Sequence, residues 1–320
     1  MGWFSGPGKD LRTSAPGGPE VVRFDTFDRI LQIPARGHFG PYQRSPNGRF
    51  ILTWRDGNDE GTQGGARDTG QGRYMLLDGD RIVCEGRMDR PNDGKVADDG
   101  TFVLNDWHFF TGELRGTFYA FRATGEVIVR CQFGANLYNS GVSADGRWAC
   151  CQTCNSGSES DSSVLTVFDL AAGQEVARWV PESGWANDYA FTADGQIILS
   201  YLDGSAAYLL SGDFIGRQKW LDAAVAAGEL RVIRTVLAEA PPVLPKDLAD
   251  RLVAACNTGL KKPQNREPSW QADGLRLKAE AYDRSGRLDK ALECYDQALM
   301  HNPKVGVKRR VQQLRKQLSR

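Results

Sequence analysis

The chain has 320 residues, with 40 Lys plus Arg against 40 Asp plus Glu, so its formal charge is zero. An apolar share of 41% and a charged share of 25% exclude global disorder, and the length suits one large domain or two ordinary ones. No stretch approaches the roughly 18 apolar residues of a membrane span, and the start, Met1-Gly2-Trp3-Phe4-Ser5-Gly6-Pro7, lacks the basic segment and apolar run of a secretory signal. The reading is a soluble, cytoplasmic protein with no membrane partner.

The average hides two halves. Of 36 glycines, only Gly228, Gly259, Gly274, Gly286 and Gly306 lie beyond residue 217. Glycine serves turns and is costly inside helices. The first part is therefore expected to be turn-rich β structure and the second helical: a flexible Gly/Pro-rich segment over 1–19, a β domain over 20–217 and a helical domain over 218–320. Residues 218–320 carry 20 basic and 12 acidic side chains, a net charge of +8 that leaves −8 on the remainder. Such opposite charges would favour docking of the helical arm on the β part at close range.

In chain order, Val21–Phe24 and Arg29–Ile33 read first as a hairpin with no inner pair before it. Either residues 1–19 complete that half unit, or the helical part covers it, or another chain adds strands to its open edge. Four alike segments follow: Ser45-Pro46-Asn47-Gly48-Arg49-Phe50, Ala97-Asp98-Asp99-Gly100-Thr101-Phe102, Ser143-Ala144-Asp145-Gly146-Arg147-Trp148 and Thr192-Ala193-Asp194-Gly195-Gln196-Ile197. Asn-Gly or Asp-Gly between apolar runs is a strong hairpin signal. Each turn leads into a short apolar strand, and a second hairpin follows it: Arg73–Leu77 with Arg81–Cys84, Thr117–Phe121 with Val127–Cys131, Val164–Asp169 with Glu175–Val180, and Ala206–Leu210 with Phe214–Gly216. Four strands per unit of about 50 residues suits a propeller blade.

Over about residues 20–220 the chain resembles the WD-repeat β-propeller superfamily. Tyr189-Ala190-Phe191-Thr192-Ala193-Asp194-Gly195 is similar to its inner strand and turn. Val164-Leu165-Thr166-Val167-Phe168-Asp169 with Ala172-Gly173-Gln174-Glu175 is similar to its third strand and exit turn. The resemblance implies a β-propeller of four to five antiparallel four-stranded blades.

From Trp220 the periodicity becomes helical. Leu230, Ile233, Val236 and Leu237 share one face, as do Leu248, Leu252, Val253 and Cys256. Pro241, Pro242 and Pro245 separate the two segments, and Lys261–Pro268 reads as a polar linker. Residues 272–305 resemble a tetratricopeptide repeat through Ala279, Tyr282, Gly286, Ala291, Tyr295, Ala298 and Pro303, with Leu275 and Lys278 as departures from its pattern. Residues 305–318 read as a capping helix with Val307, Val311, Leu314 and Leu318 inward. Lys304, Lys308, Arg309, Arg310, Arg315, Lys316 and Arg320 leave this last segment without an acid.

Candidate chemistry is sparse. Cys150, Cys151 and Cys154 lie close together, but no second Cys-x-x-Cys and no nearby histidine completes a zinc set. Cys150 aligns with the core positions Leu52, Leu104 and Leu199, and Cys151 with the opposite face. Seven scattered cysteines fit reduced thiols. Asp56-Gly57-Asn58-Asp59-Glu60-Gly61 has calcium-loop character, but Arg67 stands where a bidentate Glu would be needed. His108, after Asp106-Trp107, reads as a structural histidine in a loop. No phosphate-binding Gly-x-x-x-x-Gly-Lys occurs. No catalytic residue, cofactor site or metal set is assigned, and the protein reads as a non-enzyme.

The resemblances imply a protein-protein interaction scaffold or adaptor subunit of a larger complex. Its candidate partner contacts are Arg276, Glu280 and Asp283 on the first repeat helix, and Lys308, Arg309, Arg315 and Lys316 on the basic helix. Two alternatives stand beside it. A propeller that binds or hydrolyses a small ligand or glycan would present a carboxylate-lined channel mouth, with Asp98, Asp99, Asp145 and Asp194 as candidates. A nucleic-acid-associated subunit would use the basic C-terminal helix, with steep salt dependence.

Overall fold

One turn recurs four times, and its chemistry is local. A computed structural model describes residues 20–58, 61, 64–109, 112–202 and 204–319. In the first turn Ser45 Oγ accepts the Phe50 N–H at 3.0 Å, and Asn47 Oδ1 accepts the Arg49 N–H at 3.0 Å. In the third, Ser143 and Asp145 do the same for Trp148 and Arg147. Gly48, Gly100, Gly146 and Gly195 all sit at positive φ, between 71° and 84°, which an L side chain adopts only at a cost. Side-chain acceptors that satisfy turn N–H groups, followed by a glycine, fix each reversal before any long-range contact forms.

Around these turns stand antiparallel sheets. β4 (His38–Arg44), β5 (Phe50–Arg55), β6 (Gly72–Asp78) and β7 (Arg81–Met88) form the core of the first. β8 (Pro91–Val96), β9 (Phe102–Asp106), β10 (Gly116–Phe121) and β11 (Val127–Phe133) form the second. The third comprises β12 (Leu137–Val142), β13 (Trp148–Thr153), β14 (Leu165–Asp169) and β15 (Gln174–Trp179). The fourth comprises β16 (Asp188–Phe191), β17 (Gln196–Tyr201), β18 (Gly204–Leu209) and β19 (Phe214–Ile215). Strands pair in chain order within each, and the first strands of successive sheets pack side by side.

The N-terminal strands join the first sheet, an arrangement outside the three completions the sequence left open. β1 (Glu20–Val21) pairs with β7, while β2 (Asp25–Phe27) and β3 (Ile30–Ile33) form a hairpin that adds to β4, giving one seven-stranded sheet. Burial explains the placement. Val22, Leu31 and Ile33 pack on Ile51, Met75, Leu77 and Ile82, the face of the first sheet turned away from the second. The half unit is thus paired in cis onto the first full sheet. The Gly/Pro-rich segment 1–19, one of its expected completions, lies outside the described residues.

Aromatic side chains fill the spaces between sheets. Tyr74, Phe102 and Phe121 meet between the first two, with Phe102 and Phe121 stacked at 4.8 Å. Phe118 stacks on Phe168 at 4.9 Å between the second and third, and Trp179 meets Tyr208 at 5.8 Å between the third and fourth. Such pairs add about 0.5–1.5 kcal/mol each beyond simple area burial. Cys150 and Cys151 are both fully buried, and burial pushes both thiols well above their usual range. The expected opposite-face position of Cys151 is covered by the second sheet.

His38 is buried at the start of β4. Its Nε2 lies 2.7 Å from Thr53 Oγ1, while that hydroxyl donates to the Pro41 carbonyl at 2.9 Å. The Thr53 proton is therefore committed, so Nε2 carries the imidazole proton and donates. Nδ1 is left bare and without a partner. Protonating it would bury a cation, with Arg55 and Arg73 nearby, and the pKa falls to about 4, chiefly from desolvation. The unfolded chain takes up this proton near pH 6.5 and the folded one near 4. The stability His38 confers is complete above pH 6.5 and is lost as pH falls from 6.5 to 4, by about 3 kcal/mol at about 1.4 kcal/mol per pH unit. His38→Gln is expected to flatten the urea midpoint against pH across this window. An unchanged slope would show that His38 does not carry it.

The chain divides into two compact units between Ile215 and Gly216. The second contains α1 (Arg217–Ala226), α2 (Leu230–Glu239), α3 (Lys246–Lys261), α4 (Pro268–Arg284), α5 (Leu288–His301) and α6 (Lys308–Leu318). Leu221, Val225, Ile233, Leu237, Leu252 and Cys256 build one core with the inner face of α4, and Ala279, Ala291, Tyr295, Val311 and Leu314 build another. Between α3 and the turn from α1 to α2 the backbones touch. A Cβ on Gly259 would stand 2.4 Å from the Gly228 carbonyl oxygen, so only glycine allows this approach.

Candidate partner-binding surface of the helical unit

Small residues set the geometry of the α4–α5 hairpin. Ala279, Ala291 and Ala298 are fully buried and let the two helices approach closely. Pro268 opens α4 at a position where its missing N–H costs nothing, and Gly286 turns the chain at φ 79°. Tyr282 packs against both helical cores, with the Arg287 guanidinium 4.7 Å from its ring centroid.

The polar side of α4 carries a ladder of ion pairs. Arg234 of α2 reaches Asp273 at 2.5 Å; Asp273 pairs with Arg276 at 2.9 Å; Arg276 lies 3.5 Å from Glu280; Glu280 pairs with Arg284 at 3.1 Å. Spacings of three and four residues put these groups on one helix face. Arg284 also donates to the carbonyls of Leu237, Ala240, Pro241 and Pro242, so it closes the C-terminal end of α2. Asp283 points to the other neighbour and takes both arms of Arg310, at 2.5 and 2.6 Å.

These contacts place the sequence-derived candidates in two groups. Arg276, Glu280 and Asp283 lie half-buried and paired within the unit. A partner at any of them would have to exchange for an existing ion pair. Lys308, Arg309, Arg315 and Lys316 are exposed on α6, with Arg309 and Lys316 opposite the buried Val311 and Leu314 and Lys308 and Arg315 at the flanks. Arg315 reaches Asp296 at 2.8 Å. Lys304, Lys308, Arg309 and Lys316 make no ion pair among the described residues. Arg320 lies outside them. Arg310, which the sequence grouped with the same basic run, is the structural member: it ties the cap to α4.

In the β unit the expected carboxylates of a channel mouth are turn residues. Asp98 accepts the Asn47 N–H at 2.7 Å and so links two turns, and Asp99, Asp145 and Asp194 bond within their own turns. An open cavity of about 700 Å³ does lie along the first strands of the sheets, but Asp28 and Asp188 line it, with Arg29, Arg44 and Lys95. The calcium-like loop is also spoken for. Asp56 pairs with Arg67 at 2.7 Å and with Arg90 at 3.1 Å, so the residue that breaks the calcium pattern is the one that neutralises the loop's first carboxylate. Asp59 and Glu60 of that loop lie outside the described residues. His38 and its bond to Thr53 carried no local signal beyond their alternation on paired strands.

The helical unit is thus built around one helix–turn–helix repeat with a basic capping helix. The tetratricopeptide-repeat family model matches residues 272–305, which span α4 from its second turn, all of α5 and the loop that follows. This repeat supports a protein-interaction module. No curated protein matches the chain. Among solved structures it is similar to a computationally designed protein, Ika8, with 10% identity and a TM-score of 0.37 over 59% of this chain. The chain spans 58% of that protein's length, and a likeness this loose carries no inference. No described helix is long and apolar enough to cross a membrane.

Proposed function

We propose that the protein is a non-enzymatic scaffold or adaptor subunit that docks a protein partner through its helical unit. The match of residues 272–305 to the tetratricopeptide repeat carries this reading. Repeats of this kind present helix faces to peptides or partner helices. Arg276, Glu280 and Asp283 are the proposed contacts on α4, and Lys308, Arg309, Arg315 and Lys316 those on α6. Because the first three already hold the unit together, the acid-free outer face of α6 is the better target for mutation. The β unit is read as a WD-repeat-like propeller whose four sheets are its blades. Support comes from the chain-order pairing within each sheet and the side-by-side packing of first strands.

Lys308→Glu/Arg309→Glu/Lys316→Glu, tested in the full chain by affinity purification from the native host, is expected to release at least one co-purifying protein while leaving the helical circular dichroism intact. Recovery of the same proteins by wild type and variant would remove α6 from the interface. Retention of duplex DNA instead, with affinity falling steeply between low and moderate salt, would reassign the helix to nucleic acid.

A further inference from the structure

The open cavity of about 700 Å³ in the β unit is lined by the first strand of each of the four sheets and by the turn between β2 and β3. The buried part of its lining is apolar. Val96 ends β8, Gly141 lies near the end of β12, and Tyr189 of β16 packs against it. A Cβ on Gly141 would stand 2.9 Å from the Tyr189 Cβ, so glycine sets how near the fourth sheet comes to the third here.

The exposed part is charged, and its charges are not spent on one another. Arg29 and Arg44 both adjoin Tyr42: the Arg29 carbonyl accepts the Tyr42 N–H at 3.2 Å, and the Arg44 guanidinium lies 5.7 Å from the Tyr42 ring centroid. Both arginines are exposed, and neither makes an ion pair among the described residues. Asp188, on the fourth sheet, is exposed and has no ion pair among them either.

A third cation is placed by a local distortion. The register of β8 on β9 shifts between Asn92 and Lys95, and Asp93 inside the bulge sits at φ 46°. Asp93 Oδ1 accepts from Lys95 Nζ at 2.9 Å, while its Oδ2 accepts the Ser140 N–H and hydroxyl at 2.5 and 2.8 Å. The bulge thereby ties β8 to β12 and holds the Lys95 side chain in the cavity wall, 25% exposed. Bulges re-aim side chains in this way. Left-handed non-glycine backbone held by surrounding bonds gathers at binding sites, and Asp28 in the same lining is a second case, at φ 52°.

We propose that this cavity binds a small sugar phosphate, with Arg29, Arg44 and Lys95 taking the phosphate and Asp188, Asn187 and Gln43 the hydroxyls. Guanidinium and ammonium groups are the usual donors to phosphate oxygens, and three of them suit a dianion. A carboxylate without a cation accepts O–H donors, which a bare anion would not offer to Asp188. The volume lies in the range of about 300–1,000 Å³ that small-ligand sites occupy. The site lies wholly within the β unit, so it stands or falls separately from a partner on α6.

The test is calorimetric titration of the full-length protein at low ionic strength with glucose 6-phosphate, ribose 5-phosphate, inorganic phosphate and glucose. At least one of the two sugar phosphates is expected to fill one site per chain with a Kd below about 1 mM, about tenfold or more tighter than inorganic phosphate. Glucose is expected not to bind. Arg29→Gln/Arg44→Gln is expected to weaken sugar phosphate binding about tenfold or more at an unchanged melting temperature. Asp188→Asn is expected to weaken it about threefold while leaving inorganic phosphate as tight or tighter, because a like charge is removed. Arg122→Gln, an exposed arginine at the outer hairpin of the second sheet, is expected to leave both unchanged. No saturable binding of either sugar phosphate would overturn the site. So would binding that the double substitution does not move, or that Arg122→Gln weakens as much.

Discussion

Arg67→Ala is expected to lower the stability of the β unit by about 3–5 kcal/mol, the range for breaking a buried charge network from one side. The Arg67 side chain is 5% exposed. Its Nε donates to the Gly70 carbonyl at 2.9 Å, its Nη1 to Asp56 Oδ1 at 2.7 Å and to the Gly65 carbonyl at 2.9 Å, and its Nη2 to the carbonyls of Asp56 and Asp89, the latter at 2.9 Å. One guanidinium therefore satisfies both ends of the loop between β5 and β6 and the residue that leads out of β7. Alanine would leave four carbonyls short of a donor and Asp56 dependent on Arg90 alone. Arg67→Lys is expected to recover less than half of the loss, because a single ammonium cannot reach acceptors spread around a planar fork. Urea unfolding followed by tryptophan fluorescence reads the effect. A change below about 1 kcal/mol would mean that water replaces the guanidinium and that the loop is held by other contacts.

Much of the β unit was legible because its defining chemistry is local. Ser45, Asn47 and Gly48 sit within four residues, satisfy one another and repeat at near-constant spacing, so the hairpins can be placed without knowing what they pack on. The second hairpin of each sheet follows for the same reason. The pairing of β3 with β4 carries no such sign. It depends on apolar residues finding the far face of the first sheet, a choice made by burial across the whole unit. Cys151 misleads in a related way. Alternation implies one core face and one opposite face, but β13 has a sheet on either side, and both sets of side chains are covered.

The polar network was less legible than the core. In the sequence Arg67 stands out only as the residue that spoils a calcium pattern, since besides the Asp56 carboxylate its acceptors are main-chain carbonyls of Asp56, Gly65, Gly70 and Asp89, which no side-chain pattern marks. The repeat motif located α4 and α5, because small residues must recur where two helices touch. It did not reveal that Asp283 is held by Arg310, or that Arg276 and Glu280 are rungs of one ladder. Partners on different helices leave no fixed spacing in the sequence. Asp89 and His108 are 19 residues apart and belong to different sheets' connections, so their approach appears only once the sheets are stacked.

Arg284→Ala is expected to cost the helical unit about 2–4 kcal/mol, the second-largest single effect. The last carbonyls of any helix lack intrahelical donors, and the segment after α2 is worse placed than most, since Pro241 and Pro242 have no N–H to offer. Arg284 answers this with Nη1 to the Leu237 carbonyl at 2.6 Å, Nη2 to those of Ala240 and Pro241 at 2.7 and 2.6 Å, and Nε to that of Pro242 at 3.3 Å. Its own carbonyl accepts the Leu244 N–H at 2.8 Å, so the loop between α2 and α3 is clasped to the end of α4 on both sides. A charged donor to each acceptor contributes more than a neutral one, but part of the site meets water, which limits the total. Glu280, 3.1 Å from the same guanidinium and 30% exposed, should matter far less, with Glu280→Gln costing at most about 1 kcal/mol. Helical circular dichroism in a urea series separates the two. If Arg284→Ala moves the midpoint no further than Glu280→Gln, the carbonyl clasp contributes nothing beyond the ion pair, and the proline-bounded loop is held by Leu244 and the apolar core alone.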